Sequence, residues 1–467
     1  MSFRVPASAA LVAARAIAST IEETGYRAFF AGGCVRDLLL GRTPDDFDIA
    51  TDATPEQVQT LFPRTLAVGA HFGVVLVLTG EEDQAISTEV ATFRHDGAYL
   101  DGRRPDAVRF SLDPREDVLR RDFTINGMLL DPTRLLDQTG GGCTAPEEAV
   151  LDFVGGREDL AAGVVRTIGS AARRFAEDKL RMLRGVRFAA RLEFSIDPAT
   201  MAAMRAHALE IGQVSQERVR DELTRMLTEG HARRALELLD ASGLLPRVLP
   251  EIARMHGVEQ PPEYHPEGDV WVHTLMLLDH LPAGISATLA WGMLLHDVGK
   301  PATFQPAAAT GDRIRFNGHA EAGVRIAEDI LTRLRFSNED AAQIIALVKH
   351  HMRFGDVKEM RESTLKRFLR LPHFEEHLAL HRADCLSSHG KLGMYEFAKG
   401  HFDMAEPQAI RPKLLVSGRD LIRAGYKPGP RFKAMLEVAE DAQLEGRIAN
   451  REEGLALLAR DFDPACA

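Results

Sequence analysis

Residues 44–50 read PDDFDIA, with two carboxylates, Asp46 and Asp48, alternating with the apolar Phe47 and Ile49. Such alternation predicts a strand, on which residues two apart share a face. Phe47 and Ile49 then turn to a core, and Asp46 and Asp48 stand side by side. Two carboxylates so placed repel each other unless a cation sits between them. Hard oxygen ligands, with water in the remaining positions, suit Mg²⁺. A lone D-x-D is more often a solvated strand end, so its neighbours decide the reading.

Upstream, RAFFAGG (27–33) reads as a strand running into a glycine turn, and CVRDLLLG (34–41) as a helix closed by Gly41. Backbone N–H groups at Gly32 and Gly33 can approach a phosphate there, with Arg36 as a counter-charge. Strand, double-glycine turn, helix with arginine, then strand with D-x-D resembles the nucleotidyltransferase superfamily, in the branch of bacterial tRNA CCA-adding enzymes and poly(A) polymerases. EVATFRHDGAYLDGRRP (89–105) is similar to that family's strand and flexible loop, and makes Glu89 a candidate third carboxylate. RRDFTINGMLL (120–130) is similar to the segment in which Arg121 and Asp122 hold the nucleotide or the site's geometry, with Asn126 nearby. LDFVGGREDL (151–160) resembles the turn closing the head, whereas LLDQTGGGCTAPEEAV (135–150) is longer than the family's usual connection.

The rest of the head follows from local pattern. TPEQVQTLF (54–62) has Thr54 as N-cap, Pro55 at the first helical position and Gln57 completing a capping box. GVVLVLTG and ISTEVATF read as strands, and REDVLRRDFTINGMLL (115–130) as one helix. The alanine-rich start reads as a folded helix, with Ala9, Leu11, Val12, Ile17 and Ile21 on one face, rather than a targeting peptide.

Past residue 157 strand signals almost vanish. In AEDKLRMLRGVRFAARL (176–192), one continuous helix places Asp178 and Arg181 on the same side, in a stripe with Arg174 and Arg184. Arg173 to Arg191 holds seven basic and two acidic residues, within a chain of net charge −11. The stretch is similar to the family's EDxxR motif, and Arg184 and Arg187 correspond to its further nucleotide- and phosphate-contacting arginines. A carboxylate only accepts and a guanidinium only donates. Cytosine and adenine each present an amino group beside a ring-nitrogen acceptor, which Asp178 and Arg181 complement. Uracil and guanine place a carbonyl where Asp178 needs a donor, a mismatch of about 1–3 kcal/mol. SQERVRDELTRML (215–227) resembles the next family segment, which braces this helix.

The later half carries spaced histidines. His273, the adjacent His296 and Asp297, and Asp384 form the pattern of HD phosphohydrolases, which implies a divalent ion on these four. His319 and His350 (or His351) could serve a second ion or a phosphate. Nitrogen and oxygen ligands admit Mn²⁺, Ni²⁺, Fe²⁺, Zn²⁺ or Mg²⁺.

The 467 residues suffice for several domains, and no apolar run approaches the roughly 20 residues of a membrane span. Four unpaired-looking cysteines favour a reducing compartment, the cytoplasm. The resemblance thus implies an α+β chain. A mixed-sheet nucleotidyltransferase head (1–157) precedes an all-α neck (158–255), an HD domain (256–395) and C-terminal helices (396–467). The implied substrates are CTP, ATP and the 3′ end of tRNA, with Mg²⁺ in the transferase site and no protein or membrane partner. A poly(A) polymerase, a CC-only or A-only adding enzyme, and an RNA-binding head feeding a nuclease-like HD domain are the alternatives. The full-length loop at 95–105 favours the complete reaction over a partial one, and the short N-terminus before Gly32 and the close EDxxR match favour CCA addition over a poly(A) polymerase.

Overall fold

The computed structural model describes residues 2–67, 73–81, 85–96, 108–138, 142–406 and 410–462. The loop at 95–105 therefore lies almost wholly outside the described residues. The chain is α+β and forms two compact units, Met1–Pro250 and Glu251–Ala467. Among the described residues, no helix is long and apolar enough to cross a membrane.

The first unit opens with strand β1 (Ser2–Val5) and helix α1 (Ala9–Glu23). The Ser8 hydroxyl caps α1 by accepting from the Leu11 N–H. Leu11, Ala14, Ile17 and Ile21 are buried, but Ala9 and Val12 face solvent, so the apolar face is narrower than the sequence implies. Then come β2 (Ala28–Ala31), α2 (Gly33–Leu39), β3 (Asp48–Thr51), α3 (Pro55–Leu61), β4 (Thr65–Leu66), β5 (Val74–Thr79) and β6 (Ile86–Thr92). Thr54 and Gln57 form the expected capping box on α3.

Strands β7 (Arg94–Asp96) and β8 (Val108–Phe110) pair with each other and lead to α4 (Pro114–Leu119). The single helix expected over 115–130 is not formed. α4 ends at Leu119, a 3₁₀ turn covers Thr124–Asn126, and β9 takes Met128–Leu130. Sheet burial overrides helical periodicity here: β9 is fully buried between β2 and a later strand, β12 (Val150–Asp152). In sequence, two further strands intervene between β9 and β12, β10 (Leu136–Asp137) and β11 (Cys143–Pro146); they form a separate sheet in which β11 pairs with β1.

The main sheet has the order β12-β9-β2-β3-β6-β5-β4. It is antiparallel except for β3 and β6, which run parallel with Ile49 opposite Val90. Asp48 and Glu89 each precede one member of that pair, so the register brings these carboxylates to neighbouring positions at one end of the sheet. Helices α5 (Gly156–Ala162), α6 (Ala171–Glu177), α7 (Leu180–Leu192), α8 (Pro198–His207), α9 (Gln216–Thr228) and α10 (Ala232–Ala241) follow. α7 packs on α9 and α10, and its Leu183, Val186 and Ala190 are buried.

The second unit is helical. Helices Val270–Leu278, Ala287–Leu295, Asn338–His350 and Phe374–Ser387 pack on one another, with Trp291 fully buried against Phe336, and His319–Arg333 lies against Asn338–His350. The first two are capped by Asp269 and Ser286. Gly299 ends the turn after Ala287–Leu295; a Cβ there would meet the His319 carbonyl oxygen at 2.0 Å. Only glycine lets this turn approach the next helix so closely.

Candidate active site

In the first unit a cavity of about 540 Å³ is lined by Gly32, Gly33, Asp46, Asp48, Arg121, Asp122, Asp178, Arg181, Arg184 and Arg218, among others. Gly32 precedes α2 with φ 75°, and a Cβ there would meet the Arg121 guanidinium at 3.2 Å. Both the conformation and the space favour glycine. Strand β3 begins at Asp48, so Asp46 stands just before the strand rather than on it. Phe47 and Ile49 are buried, as alternation requires, Asp46 is exposed and Asp48 is half-buried.

Burial, and then the negative charges of Glu89 and Asp46, push the Asp48 carboxyl up to about 7 against the pull of Arg121. Three carboxylates thus crowd one end of the sheet. Their mutual repulsion is the condition that a bound divalent cation relieves, so the residues fit Mg²⁺.

The arginines of the cavity are largely engaged. Arg36 is buried, donating to both Asp37 oxygens at 2.8 and 2.9 Å and to Asn126 Oδ1 at 2.7 Å. It lines the cavity and also ties α2 to the 3₁₀ turn. Arg121 donates to Asp117 at 2.9 Å, and Arg184 to Asp122 at 2.7 Å. Burial would raise the Asp122 carboxyl, but Arg184, with Arg181 and the Phe123 N–H, together hold the group below its ordinary value.

The expected continuous helix breaks at Asp178, which ends α6 in extended conformation, φ −146° and ψ 108°. Its carboxylate accepts from the Leu180 N–H at 3.1 Å and from Arg218 at 3.2 and 2.8 Å. Arg181, on α7, donates to Glu177 Oε2 at 2.8 Å and to the Arg120 carbonyl at 3.0 Å. Asp178 and Arg181 still line one cavity, but the break, not a shared helical stripe, places them there. Arg187 lines the same cavity, but its side chain is 5% exposed and donates to Glu222 at 2.7 Å and Glu229 at 3.3 Å, which clamps α7 to α9. Sequence reasoning missed Asp117 as the anchor of Arg121; their i,i+4 spacing was the available signal.

The second unit holds the histidine cluster. His296 and Asp297 lie on the turn just after helix Ala287–Leu295, not within it. His273 Nε2 is 3.1 Å from Asp384 Oδ1 and 3.8 Å from Asp297 Oδ2, and His296 Nε2 is 3.1 Å from Asp297 Oδ2. Both Nε2 atoms are buried without a hydrogen bond of acceptable geometry. Orphaned imidazole nitrogens beside carboxylates are the donor set of a divalent ion, so these residues fit one. Asp297 Oδ1 also faces His319 and His351 at 3.6 and 3.7 Å, and those two rings meet at 3.1 Å between Nε2 atoms. The second group is therefore Asp297, His319 and His351. His350 turns the other way, toward His377. Adjacent helical residues point about 100° apart, so only one of the pair can join. Lys300 Nζ lies 2.7 Å from Asp297 Oδ2. A cavity of about 430 Å³ opens over this cluster, lined also by Tyr264, His265, Arg313 and Phe316.

Three family models match: the poly A polymerase head domain over 28–166, the probable RNA- and SrmB-binding site of polymerase A over 193–255, and the HD domain over 269–388. The chain is 30% identical over 452 residues to the CCA-adding enzyme of Levilactobacillus brevis, covering 96% of this chain and 97% of that one. It is 32% identical over 441 residues to that of a Geobacillus species, with 94% and 93% coverage. The crystal structure of the Bacillus stearothermophilus CCA-adding enzyme in complex with CTP superposes with a TM-score of 0.71 at 27% identity, over 97% of this chain and 98% of that one. With this cavity, this histidine cluster and relatives aligned from end to end, the chain belongs to the CCA-adding enzyme family of nucleotidyltransferases.

Proposed function

We propose that this chain builds or repairs the 3′-terminal CCA of tRNA from CTP and ATP, without a nucleic-acid template. One observation carries the reading: Asp46 and Asp48 share a cavity with Asp178 and Arg181. Chemistry and base choice can therefore act on one nucleotide.

Asp46 and Asp48 are the groups that would hold Mg²⁺, and Glu89 tunes them from the neighbouring strand. An ion held there would lower the barrier to attack of the tRNA 3′-hydroxyl on the α-phosphate and help carry the leaving pyrophosphate. Gly32 and Gly33 leave room for the triphosphate. Arg121, steadied by Asp117, and Arg184, steadied by Asp122, face it with positive charge. Asp178 accepts from the amino group of cytosine or adenine, and Arg181 donates to the ring nitrogen beside it. Arg187 keeps the reading helix fixed on α9. The four-part division into head, neck, HD domain and C-terminal helices belongs to the same proposal, as does the cytoplasm as its compartment.

A second reading concerns the HD cluster. The orphaned Nε2 atoms of His273 and His296, beside Asp297 and Asp384, favour a bound divalent ion and phosphoester hydrolysis. Mn²⁺, Ni²⁺, Fe²⁺, Zn²⁺ and Mg²⁺ all suit this mixed set.

The deciding experiment incubates tRNA ending before CCA with labelled CTP and ATP and sequences the product end. Complete CCA is the expected result. Runs of A alone would make it a poly(A) polymerase, and CC or A alone would make it a partial adder.

A further inference from the structure

Glu267 lies in the loop before helix Val270–Leu278, with a side chain only 4% exposed. One of its oxygens, Oε1, lies 2.7 Å from His273 Nδ1 and 2.8 Å from His265 Nδ1. The two imidazoles meet edge to face, 4.9 Å between centroids. A carboxylate can only accept, so each imidazole presents Nδ1 as N–H. A neutral imidazole with its proton on Nδ1 carries its lone pair on Nε2. In His273 that is the atom aimed between Asp384 and Asp297, and it is buried without a hydrogen bond. The other Glu267 oxygen, Oε2, is also buried without a partner. A carboxylate kept under such conditions does little for the core by itself.

We propose that Glu267 is the positioning residue of the HD cluster: by holding the Nδ1 proton of His273 it points the Nε2 lone pair at the divalent-ion site. The inference rests on the proposed ion site and goes beyond it, since Glu267 is none of the four HD residues. The same oxygen orients His265, which lines the cavity above the cluster. Outer groups that fix a ligating imidazole typically change ion affinity about 10- to 100-fold when removed.

The test uses the full chain carrying Asp46→Ala and Asp48→Ala, so that the first unit takes up no ion. Calorimetric titration with Ni²⁺ alone compares this parent with versions that add Glu267→Ala, Glu267→Gln or His265→Ala. Long-range nitrogen–proton NMR correlations report the His273 tautomer in each. Glu267→Ala is expected to bind Ni²⁺ about 10- to 100-fold more weakly and to show His273 no longer fixed in the Nδ1–H form. Glu267→Gln, which keeps an acceptor oxygen, is expected to fall between. His265→Ala is expected to stay within about threefold of the parent, because the Glu267–His273 contact survives. Parent-like affinity in a folded Glu267→Ala protein overturns the proposal alone. A His265→Ala loss equal to that of Glu267→Ala also overturns it, since His265 would then be the effective group. No Ni²⁺ uptake by the parent overturns the ion site itself, and this proposal with it.

Discussion

Arg218 grips Asp178 through both carboxylate oxygens, at 3.2 and 2.8 Å, across from α9 to the end of α6. A bidentate pair of this kind fixes the plane of the carboxylate as well as its charge. The base-reading acceptor is thus aimed from a neighbouring helix. Asp178→Ala should lose preference for C and A over U and G, by about 10- to 100-fold for a lost pairing of about 1–3 kcal/mol. Arg218→Ala should lose part of the same preference. Incorporation of each of the four nucleoside triphosphates measures both. A slower Asp178→Ala enzyme with unaltered preference would remove Asp178 from base reading.

The paired aspartates should be needed for chemistry and not for RNA binding. Asp46→Ala and Asp48→Ala should each lower nucleotide addition at least about a thousandfold, the several kcal/mol an ion contributes. Affinity for tRNA, followed by filter binding, should change less than about threefold. Near-normal addition by either variant would refute the assignment.

The raised Asp48 carboxyl has a pH consequence. Its folded pKa is about 7, above the ordinary 3.8. Between these values the ion-free fold holds a proton that the unfolded chain releases, so this group's contribution to stability falls as pH rises through that window. Cation binding requires the deprotonated form, so apparent Mg²⁺ affinity should rise as pH goes from 6 to 8, and level off above. Titrating Mg²⁺ in the addition assay at several pH values checks this, and a Mg²⁺ requirement that does not change between pH 6 and 8 would refute it.

Arg187 should prove structural. Removing one member of a buried ion pair costs about 3–5 kcal/mol, because the partner charge is left stranded. Arg187→Ala should therefore melt well below the unaltered chain. Arg187→Met combined with Glu222→Leu should recover much of the loss, since no buried charge is then left without its partner. Calorimetric melting distinguishes the two. An undiminished melting temperature in Arg187→Ala would show that the pair with Glu222 carries no weight.

His296→Ala combined with Asp297→Ala removes two neighbouring donors of the second cluster. Hydrolysis of a 2′,3′-cyclic nucleotide should disappear with ion uptake, while CCA addition stays within a few-fold. Loss of addition in a folded double variant would show that the two chemistries depend on one another.

The residue types of both sites were legible in the sequence because their chemistry demands them. Acidic residues at alternating positions, a double glycine after a strand and an adjacent His-Asp have few substitutes. Placement was less legible wherever tertiary contacts decide it. Nothing local in AEDKLRML announces a helix break; the break at Asp178 accompanies its pairing with Arg218, forty residues on. Met128–Leu130 became a strand through partners on both sides, although its segment carries helical spacing. His350 and His351 are equivalent in sequence, and only the packing of helix Asn338–His350 against His319–Arg333 selects the second. Arg187 looked like its neighbours on the basic stretch, yet Glu222 and Glu229 consume it.

The interruption between α6 and α7 matters for a reader that must accept two bases of different width. A residue in mid-helix has its backbone locked by hydrogen bonds on either side. Asp178 keeps such bonds although it stands extended at a joint: its N–H donates to the Arg174 carbonyl of α6, and its carbonyl accepts from the Arg181 N–H of α7. On the proposed reading, both jaws of the base gauge are braced, Asp178 by Arg218 and Arg181 by Glu177. A pyrimidine and a purine are then accommodated by how each base seats against a fixed gauge, not by movement of the gauge itself.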